Sequence, residues 1–223
     1  MKKSMKWLAA LLVLALALTG CGAAEAVKEA VKAEERAVTA GVVADGVYTN
    51  EYVGVRFTAP EWTMLGAQDL QNDLEDVNEL LKGTEVGDAM AKVEQFMDLQ
   101  AADPTQMMNV NVVYTKMKPL EAARYADMDE GAIIDETLEM TDAMMESYAA
   151  AGIEVESIEK ATLFYAGQDH ASIKMVGSIQ GIPCYMAQVI DCKAGAYNVV
   201  TTIMTIQEDR TAEVAEMFEN LNA

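Results

Sequence analysis

The chain of 223 residues is strongly acidic, with 36 aspartates and glutamates against 16 lysines and arginines and a net charge of −20. Because proteins hold nucleic acids through basic side chains that neutralise phosphates, this balance excludes nucleic acid as a natural partner. It also argues against electrostatic docking on anionic lipid. The length suits a single domain with a full hydrophobic core.

The N-terminus has the pattern of an export signal. Lys2, Lys3 and Lys6 precede an apolar run over residues 7–18, which is shorter than the about 20 residues that a membrane-spanning helix needs. The run ends in Leu18-Thr19-Gly20-Cys21. This stretch resembles the lipobox of bacterial lipoprotein signals, in which the cysteine is diacylglycerated and the peptide is cut just before it. The resemblance implies that residues 1–20 are removed and that Cys21 carries the lipid; an ordinary signal peptide with a coincidental cysteine is the alternative.

The same resemblance places the mature protein on the extracytoplasmic side of a bacterial cell membrane, held there by its N-terminal lipid. Residues 21–45 then form the lipidated N-terminus and a tether. Opposite charges at Glu25/Lys28 and Glu29/Lys32 fit a frayed helix, while the lack of aromatic residues and proline also fits a disordered stalk. A single domain is expected over residues 46–223.

Two short strands are predicted at the start of the domain, over residues 47–50 and 52–58, with a turn at Asn50-Glu51 between them. Pro60 ends the second strand, and Trp62 is expected in the core. An amphipathic helix follows. Its apolar face comprises Leu70, Leu74, Val77 and Leu81, and Gly83 ends it.

The middle of the chain combines strands with the longest predicted helix. Alternating apolar residues predict a strand over 107–117 and indicate another over 92–100. Asp129 is the expected N-cap of a helix that ends at Gly152. The apolar face of this helix comprises Ile134, Leu138, Thr141, Met145 and Tyr148.

Four strands and a closing helix are predicted in the last third of the chain. Turn residues separate strands over 154–166, 169–179, 182–192 and 197–206. The closing helix, over 209–221, is expected to bury Val214, Met217, Phe218 and Leu221. Because residues 199–206 are apolar on both faces, this strand is expected at the centre of the sheet. The predicted fold class is α+β, a mainly antiparallel sheet of about six to eight strands flanked by helices on both faces.

The first segment of the domain carries a second resemblance. Residues 48–62 read YTNEYVGVRFTAPEW, a hairpin that ends in proline with a tryptophan close behind it. This segment and the order of elements over 46–222 resemble the Mog1/PsbP-like proteins. The resemblance implies an α/β/α sandwich and a role as a binding or assembly module. None of that group's partner-binding residues carries over to this chain.

In addition to Cys21, the expected lipidation site, the chain contains two cysteines, Cys184 and Cys192. At about 3.3 Å per residue along one strand they lie about 26 Å apart, beyond the roughly 7 Å limit for a disulfide, so two buried thiols are expected. A zinc site would need both thiols, His170 and Asp191 to converge. A two-residue turn at Gln180-Gly181 instead pairs His170 with Asp191 and places His170 on the face opposite the thiols.

Other candidate chemistry has a simpler interpretation. No nucleophile motif accompanies His170, so a hydrolytic triad is not expected. An acidic cluster lacks the order of a calcium loop and is expected on a solvated helix face; it comprises Asp69, Asp73, Glu75, Asp76 and Glu79. Most of the 16 methionines are expected to fill the core, Met108, Met145, Met175 and Met217 among them, rather than to bind copper.

These patterns favour a membrane-anchored extracytoplasmic lipoprotein that is not an enzyme and acts as a binding or assembly module for an unknown protein partner. No catalytic, metal-binding or cofactor-binding residue is assigned, and no cofactor is expected. The alternative is an extracytoplasmic lipoprotein that binds a small ligand in a cleft between sheet and helices. A large exposed apolar patch would favour the first function, and a closed pocket the second.

Overall fold

A computed structural model of the chain describes residues 38–70, 83, 94–192 and 195–222. Several predictions lie outside these residues. They concern the signal peptide, Cys21, most of the tether, the helix carrying Leu74, Val77 and Leu81, and the acidic positions 73–79. None of the helices in the described ranges is long and apolar enough to cross a membrane.

Eleven strands and four helices are found in the described residues. The strands are β1 (Val42–Ala44), β2 (Val47–Asn50), β3 (Val55–Thr58), β4 (Thr63–Gly66), β5 (Gln95–Ala102), β6 (Met108–Lys116), β7 (Ile153–Tyr165), β8 (Gln168–Ile179), β9 (Ile182–Asp191), β10 (Tyr197–Ile206) and β11 (Phe218–Asn220). The helices are α1 (Pro119–Ala126), α2 (Glu130–Leu138), α3 (Thr141–Ala150) and α4 (Thr211–Ala215).

The strands assemble into two antiparallel sheets. The small sheet has the order β1-β2-β3-β11, and the large sheet has the order β4-β5-β6-β10-β9-β8-β7. This arrangement confirms an α+β fold with antiparallel pairing. The sequence pattern does not predict two of the short strands: β1 lies inside the segment assigned to the tether, and β4 follows Trp62 directly.

The turn between β2 and β3 is held by the side chain of Asn50, as its position in the sequence suggests. Asn50 Oδ1 accepts hydrogen bonds from the backbone N–H groups of Tyr52 at 2.9 Å and Val53 at 3.2 Å. An asparagine that bonds its own following backbone in this way forms an Asx turn. Gly54 ends the turn at φ +74°, a conformation that favours glycine.

The centre of the large sheet agrees with the prediction. β10 lies between β6 and β9, and nine of its ten residues are buried. The predicted register of β8 and β9 is also confirmed, with Gly177 opposite Cys184. Gln180 and Gly181 both have positive φ, of 53° and 78°. Positive φ at both central residues identifies a two-residue type I′ hairpin, which fixes that register.

The helical region differs from the single long helix predicted from Asp129 to Gly152. Asp129 is the N-cap, because its Oδ1 accepts the Gly131 N–H at 2.8 Å. The helix then breaks, since the N–H groups of Glu139 and Met140 bond three residues back and tighten the last turn of α2. The break rotates α3. Met144 is consequently buried, while Met145, placed in the core by the periodic pattern, is 42% exposed.

The C-terminal segment also differs from the prediction of one helix over 209–221. Only α4 is helical, and the chain then enters β11, which pairs with β3 and sets Phe218 opposite Phe57. The ring centroids of these two phenylalanines are 4.6 Å apart. Strand pairing and aromatic packing therefore outweigh the weak helix preference of this end.

Each face of the large sheet has its own apolar core. Helices α1, α2 and α3 contribute Tyr125, Ile134 and Tyr148 to the core on one face, which we call the helical face. On the opposite face, the small sheet and α4 contribute Tyr48, Phe57 and Val214 to a second core. The described residues thus place a layer on each side of the central strands.

A candidate binding cleft between the two sheets

The two thiols lie where the sequence places them. Cys184 and Cys192 are unpaired, buried, and part of the core on the helical face together with Ile173, Met175 and Met186. Burial raises the pKa of Cys184 to about 11 and, together with the nearby Asp191 carboxylate, that of Cys192 to about 12. Both groups are consequently protonated thiols near neutral pH, and neither is poised as a nucleophile.

His170 has a different partner from the one predicted. Its Nδ1 lies 3.2 Å from Glu130 Oε2, and its Nε2 lies 3.1 Å from Gln168 Nε2. The ladder between β8 and β9 ends at Ser172 and Val189, so the predicted pairing of His170 with Asp191 is not formed. The first residue of α2 reaches the imidazole instead. In the described part of the chain, no group of three or more His, Cys, Asp and Glu side chains is arranged to hold a metal ion.

The hairpin between β7 and β8 positions the histidine. Its turn residues Ala166 and Gly167 have φ values of 49° and 86°, again the two-residue turn that fits paired strands. Ala166 carries a Cβ in a conformation that favours glycine, so the backbone is strained here. The turn places the Tyr165 ring edge-on to the imidazole, with centroids 5.7 Å apart.

A cleft of about 190 Å³ opens beside this hairpin. The small sheet provides one wall through Val53, Gly54, Val55 and Asn220. The hairpin and the ends of the central strands provide the other wall, which comprises Tyr165, Ala166, Gln168, His170, Val189, Ile190, Asp191, Val199 and Thr201. Glu130, the first residue of α2, completes the lining. The cleft therefore combines apolar walls with several polar groups, as ligand sites commonly do.

The charge of this cleft is acidic. Two carboxylates, Glu130 and Asp191, line it, and the lining residues that the structure describes include no lysine or arginine. Tyr165 contributes a hydroxyl that lies 3.2 Å from Thr201 Oγ1, and burial raises the Tyr165 pKa far above its usual value. Tyr165 is therefore a neutral hydrogen-bonding group, and the electrostatic character of the cleft comes from the two carboxylates.

From the sequence, His170 and Asp191 are expected to be cross-strand partners, and neither a zinc site nor a hydrolytic triad is expected at His170; no pattern in the sequence indicates Glu130 or Tyr165. Forty positions separate Glu130 from His170, and only the packing of α2 against β8 brings them together. Glu130 follows the N-cap Asp129, where an acidic residue already has a local explanation through the helix dipole. The local pattern therefore contains no signal that the Glu130 side chain reaches a cleft.

Exposed apolar surface is scattered in the described residues. The large hydrophobic side chains with high exposure are Val42, Leu120, Met145, Phe164 and Ile182, which belong to five different elements. A shallow depression of about 520 Å³ lies on the outer side of the small sheet, lined by Val42, Val47 and Arg56 among others. It is a broad open surface, whereas the cleft beside His170 is more enclosed and richer in polar groups.

No protein-family model matches the chain, and no curated protein is significantly similar to it.

Proposed function

We propose that this protein is a membrane-anchored extracytoplasmic lipoprotein that acts as a non-catalytic binding module, and that its cleft receives a single cationic group of a partner protein. The observation that supports the proposal is the pair of carboxylates, Glu130 and Asp191, on the lining of a small cleft with apolar walls. An ammonium or guanidinium group complements these carboxylates, and the valine walls suit the aliphatic stem of a lysine or arginine.

The size of the cleft supports one side chain rather than a large ligand. Its volume of about 190 Å³ is below the about 300–1,000 Å³ typical of sites for drug-sized molecules. The net charge of −20 favours a basic protein as the partner, because it attracts basic partners and repels nucleic acid. The partner is therefore a protein with an exposed basic residue.

Membrane attachment is proposed through Cys21. The apolar run over 7–18 and the following Leu18-Thr19-Gly20-Cys21 support export and lipidation at this residue. In the Cys21→Ala variant, the protein should leave the detergent phase in a Triton phase-partition experiment, while the wild type stays in it. Equal partition of the two proteins would refute lipid anchoring at Cys21.

We also propose the finer architecture of an α/β/α sandwich of the Mog1/PsbP-like kind. Its support is the hairpin followed by Pro60 and Trp62, the helices α1 to α3 on one face of the large sheet, and α4 on the other. An experimental structure that includes residues 71–93 tests this arrangement. A segment 71–93 lying on the face occupied by α4 and the small sheet, or outside the sandwich altogether, would contradict it.

The binding function is tested by comparing variants of the cleft. Wild type, Glu130→Gln and Asp191→Asn are immobilised and exposed to detergent-solubilised membrane proteins of the native bacterium. Glu159→Gln is the matched control, since Glu159 is an exposed glutamate on β7 outside the cleft lining. The wild type and the control should retain the same partner, increasingly weakly as salt rises, and both cleft variants should lose it. Retention by all four proteins would refute the role of the cleft.

A small basic ligand is the alternative occupant, and the same carboxylates favour it. Calorimetric titration with free arginine and with spermidine distinguishes the two. Binding of a free small amine, abolished by Glu130→Gln, would make the protein a small-ligand binder. If neither arginine nor spermidine produces a binding heat and the immobilised protein still retains a partner, the protein-binding function is supported.

A further inference from the structure

Strand β7 forms one edge of the large sheet and is the longest of the described strands. It runs for 13 residues, whereas the other three edge strands of the two sheets, β1, β4 and β11, have three or four. Among the described residues, β8 is the one strand that pairs with β7. The outer side of β7 therefore presents a row of backbone N–H and C=O groups, which is a template for a further strand.

The hairpin between β7 and β8 determines which residues present these groups. Its two-residue turn makes Tyr165 and Gln168, which flank the turn, a hydrogen-bonded pair. Along an antiparallel ladder, alternate residues bond the neighbouring strand, and the residues between them direct their backbone groups away from it. The residues of β7 whose backbone groups point outwards are therefore Ile158, Lys160, Thr162 and Phe164.

A bulge limits the regular part of this edge. The pairing of β7 with β8 is irregular at Glu156, where the extra residue bends the strand. A further strand can therefore pair regularly only with residues 157–165, which we call the open edge. Its charged residues are Glu159 and Lys160, and the Lys160 ammonium lies 2.8 Å from the Asp135 carboxylate. The open edge thus carries one negative and one positive charge in an otherwise strongly acidic protein.

Apolar side chains lie near both ends of the open edge. Ile158 is half-buried beside the core of the helical face, and Phe164 is 51% exposed. Six positions separate them, so both side chains project from the same face of the strand. Native proteins usually protect a free strand edge, because exposed apolar groups beside unpaired backbone promote association. The open edge therefore has the character of a contact surface.

We propose that the open edge is a self-association site, where a second copy of this chain pairs antiparallel with a two-fold axis at Ala161. In this register, Ile158 of one copy lies opposite Phe164 of the other, and Lys160 lies opposite Thr162. The axis repeats each pair, so about eight backbone hydrogen bonds and two contacts between an aromatic and a β-branched side chain form. The large sheets of the two copies join into one continuous sheet.

The charges of the open edge select this register. A pairing centred on Glu159 or on Lys160 would place like charges directly opposite each other, which destabilises strand pairs. A pairing centred on Thr162 would shorten the overlap of the two strands. A centre at Ala161 avoids both defects and uses the whole open edge.

A second copy suits this edge better than a basic peptide does. The open edge has no net charge to attract such a peptide, whereas its sequence of side chains is complementary to itself. The net charge of −20 on each copy opposes their approach. Association should therefore strengthen as salt rises, because ions screen this repulsion. Binding of a basic partner at the cleft has the opposite salt dependence, so the two sites are distinguishable.

Disulfide cross-linking of the full-length protein in detergent extracts tests the register. At the centre of the pairing, the Cα atoms of the two Ala161 residues are about 4.5 Å apart, within the range of a disulfide. Ala161→Cys should therefore give a covalent dimer on a non-reducing gel after mild oxidation. Ser157→Cys is the matched control, because the two copies of residue 157 lie about 26 Å apart in this pairing. The wild type shows how much cross-linking the native cysteines contribute.

Charge changes at Thr162 test the pairing without a cross-link. Thr162 is exposed and lies opposite Lys160 of the second copy, so Thr162→Glu adds two attractive pairs and Thr162→Lys adds two repulsive ones. In sedimentation velocity, the dissociation constant of the dimer should fall at least about threefold in the first variant and rise at least about threefold in the second. The same exchanges at Thr63, an exposed threonine of the opposite edge strand β4, are matched controls and should leave it nearly unchanged.

Several results would overturn the proposal. One is a wild type that stays monomeric at high salt, and another is a dimer that dissociates as salt rises. Cross-linking of Ser157→Cys as readily as Ala161→Cys, or equal affinities of the two Thr162 variants, would refute the register. Circular dichroism verifies that each variant is folded. If Thr162→Lys does not fold, the comparison of Thr162→Glu with Thr63→Glu decides.

Discussion

The Tyr48 hydroxyl donates a hydrogen bond of 2.6 Å to the carboxylate of Asp98, and this contact joins the small sheet to the large one. Asp98 sits at the irregularity between Met97 and Leu99 in β5, where the pairing register shifts. Its carboxylate also accepts the Gly41 N–H at 2.9 Å and an Asn50 N–H at 2.6 Å. The buried carboxylate of Asp98 thus connects β2 and the segment before β1 to the large sheet.

Removing the hydroxyl should therefore weaken the whole domain. Tyr48→Phe leaves the ring in place but deprives the buried carboxylate of a donor, which should lower the free energy of unfolding by about 1–3 kcal/mol. Urea denaturation followed by circular dichroism measures the loss. Tyr185→Phe on β9, a partly exposed tyrosine, should change it by less than about 0.5 kcal/mol. Equal effects of the two exchanges would show that the Asp98 contact contributes nothing.

Gly41→Ala tests the same attachment by adding a Cβ next to Tyr48 and Asp98. A Cβ at Gly41 would collide with the Tyr48 ring and come within 2.9 Å of Asp98 Oδ2. The segment before β1 should detach from the large sheet, and its amide protons should exchange faster with solvent. Hydrogen exchange of residues 38–44 in variant and wild type measures this. Unchanged protection in the variant would mean that the ring moves aside without cost.

The pH dependence of stability should carry a signature of Asp98. Burial raises the pKa of this carboxyl above its usual value, although hydrogen bonds from Tyr48, Gly41 and Asn50 lower it in part. A group with a raised pKa in the folded state stabilises fully below its unfolded pKa, about 3.9, and loses that contribution as pH rises through the folded value. Wild type should therefore lose stability relative to Asp98→Asn as pH increases above about 4.

Asp103 and Asp209 act in the opposite direction. Burial alone would raise the pKa of each carboxyl. Hydrogen bonds from Thr105 outweigh this effect and lower the pKa of Asp103. Hydrogen bonds from Lys174 and Thr211 do the same for Asp209. Their stabilisation is present above the unfolded pKa and is lost as pH falls through the lowered values. Because these acids are common to wild type and Asp98→Asn, the difference in unfolding free energy between the two proteins isolates Asp98. A difference that stays constant from about pH 4 upward would contradict the assignment.

The sequence predicts those parts of the fold that depend on local rules. A two-residue turn at Gln180-Gly181 is sufficient to derive the pairing of Gly177 with Cys184, and Asn50 is sufficient to locate a turn. Elements decided by distant contacts are not predictable in this way. Residues 218–220 form a strand because Phe218 packs on Phe57 and Tyr165, far away in the chain.

The same distinction applies to side chains that meet across strands. The alternation of Gln100, Asn111 and Gln188 is visible in each strand, but only the order of strands in the sheet brings them into one row. The cleft depends on α2 reaching β8, which no spacing in the sequence encodes. Local pattern therefore identifies which residues share a face, and tertiary packing decides which of them meet.

The two buried thiols should be unreactive in the folded protein. Their raised pKa values, about 11 for Cys184 and about 12 for Cys192, leave very little thiolate at neutral pH, and burial blocks access. In a Cys21→Ser variant, a thiol-specific chromogenic reagent should detect no cysteine in buffer and both cysteines in guanidinium chloride. Rapid labelling of the native protein would show that the helical face opens readily, since both thiols lie in its core.

The pair of His170 and Glu130 should contribute little to stability, which makes it suitable for testing function. Their side chains are 14% and 34% exposed, and the atoms are 3.2 Å apart. Pairs with this access to solvent contribute under about 1 kcal/mol. His170→Ala, Glu130→Gln and the double variant form a cycle whose coupling energy in unfolding should stay below that limit. A coupling above about 2 kcal/mol would show that the pair is part of the structural core, and loss of partner binding in Glu130→Gln would then report unfolding rather than recognition.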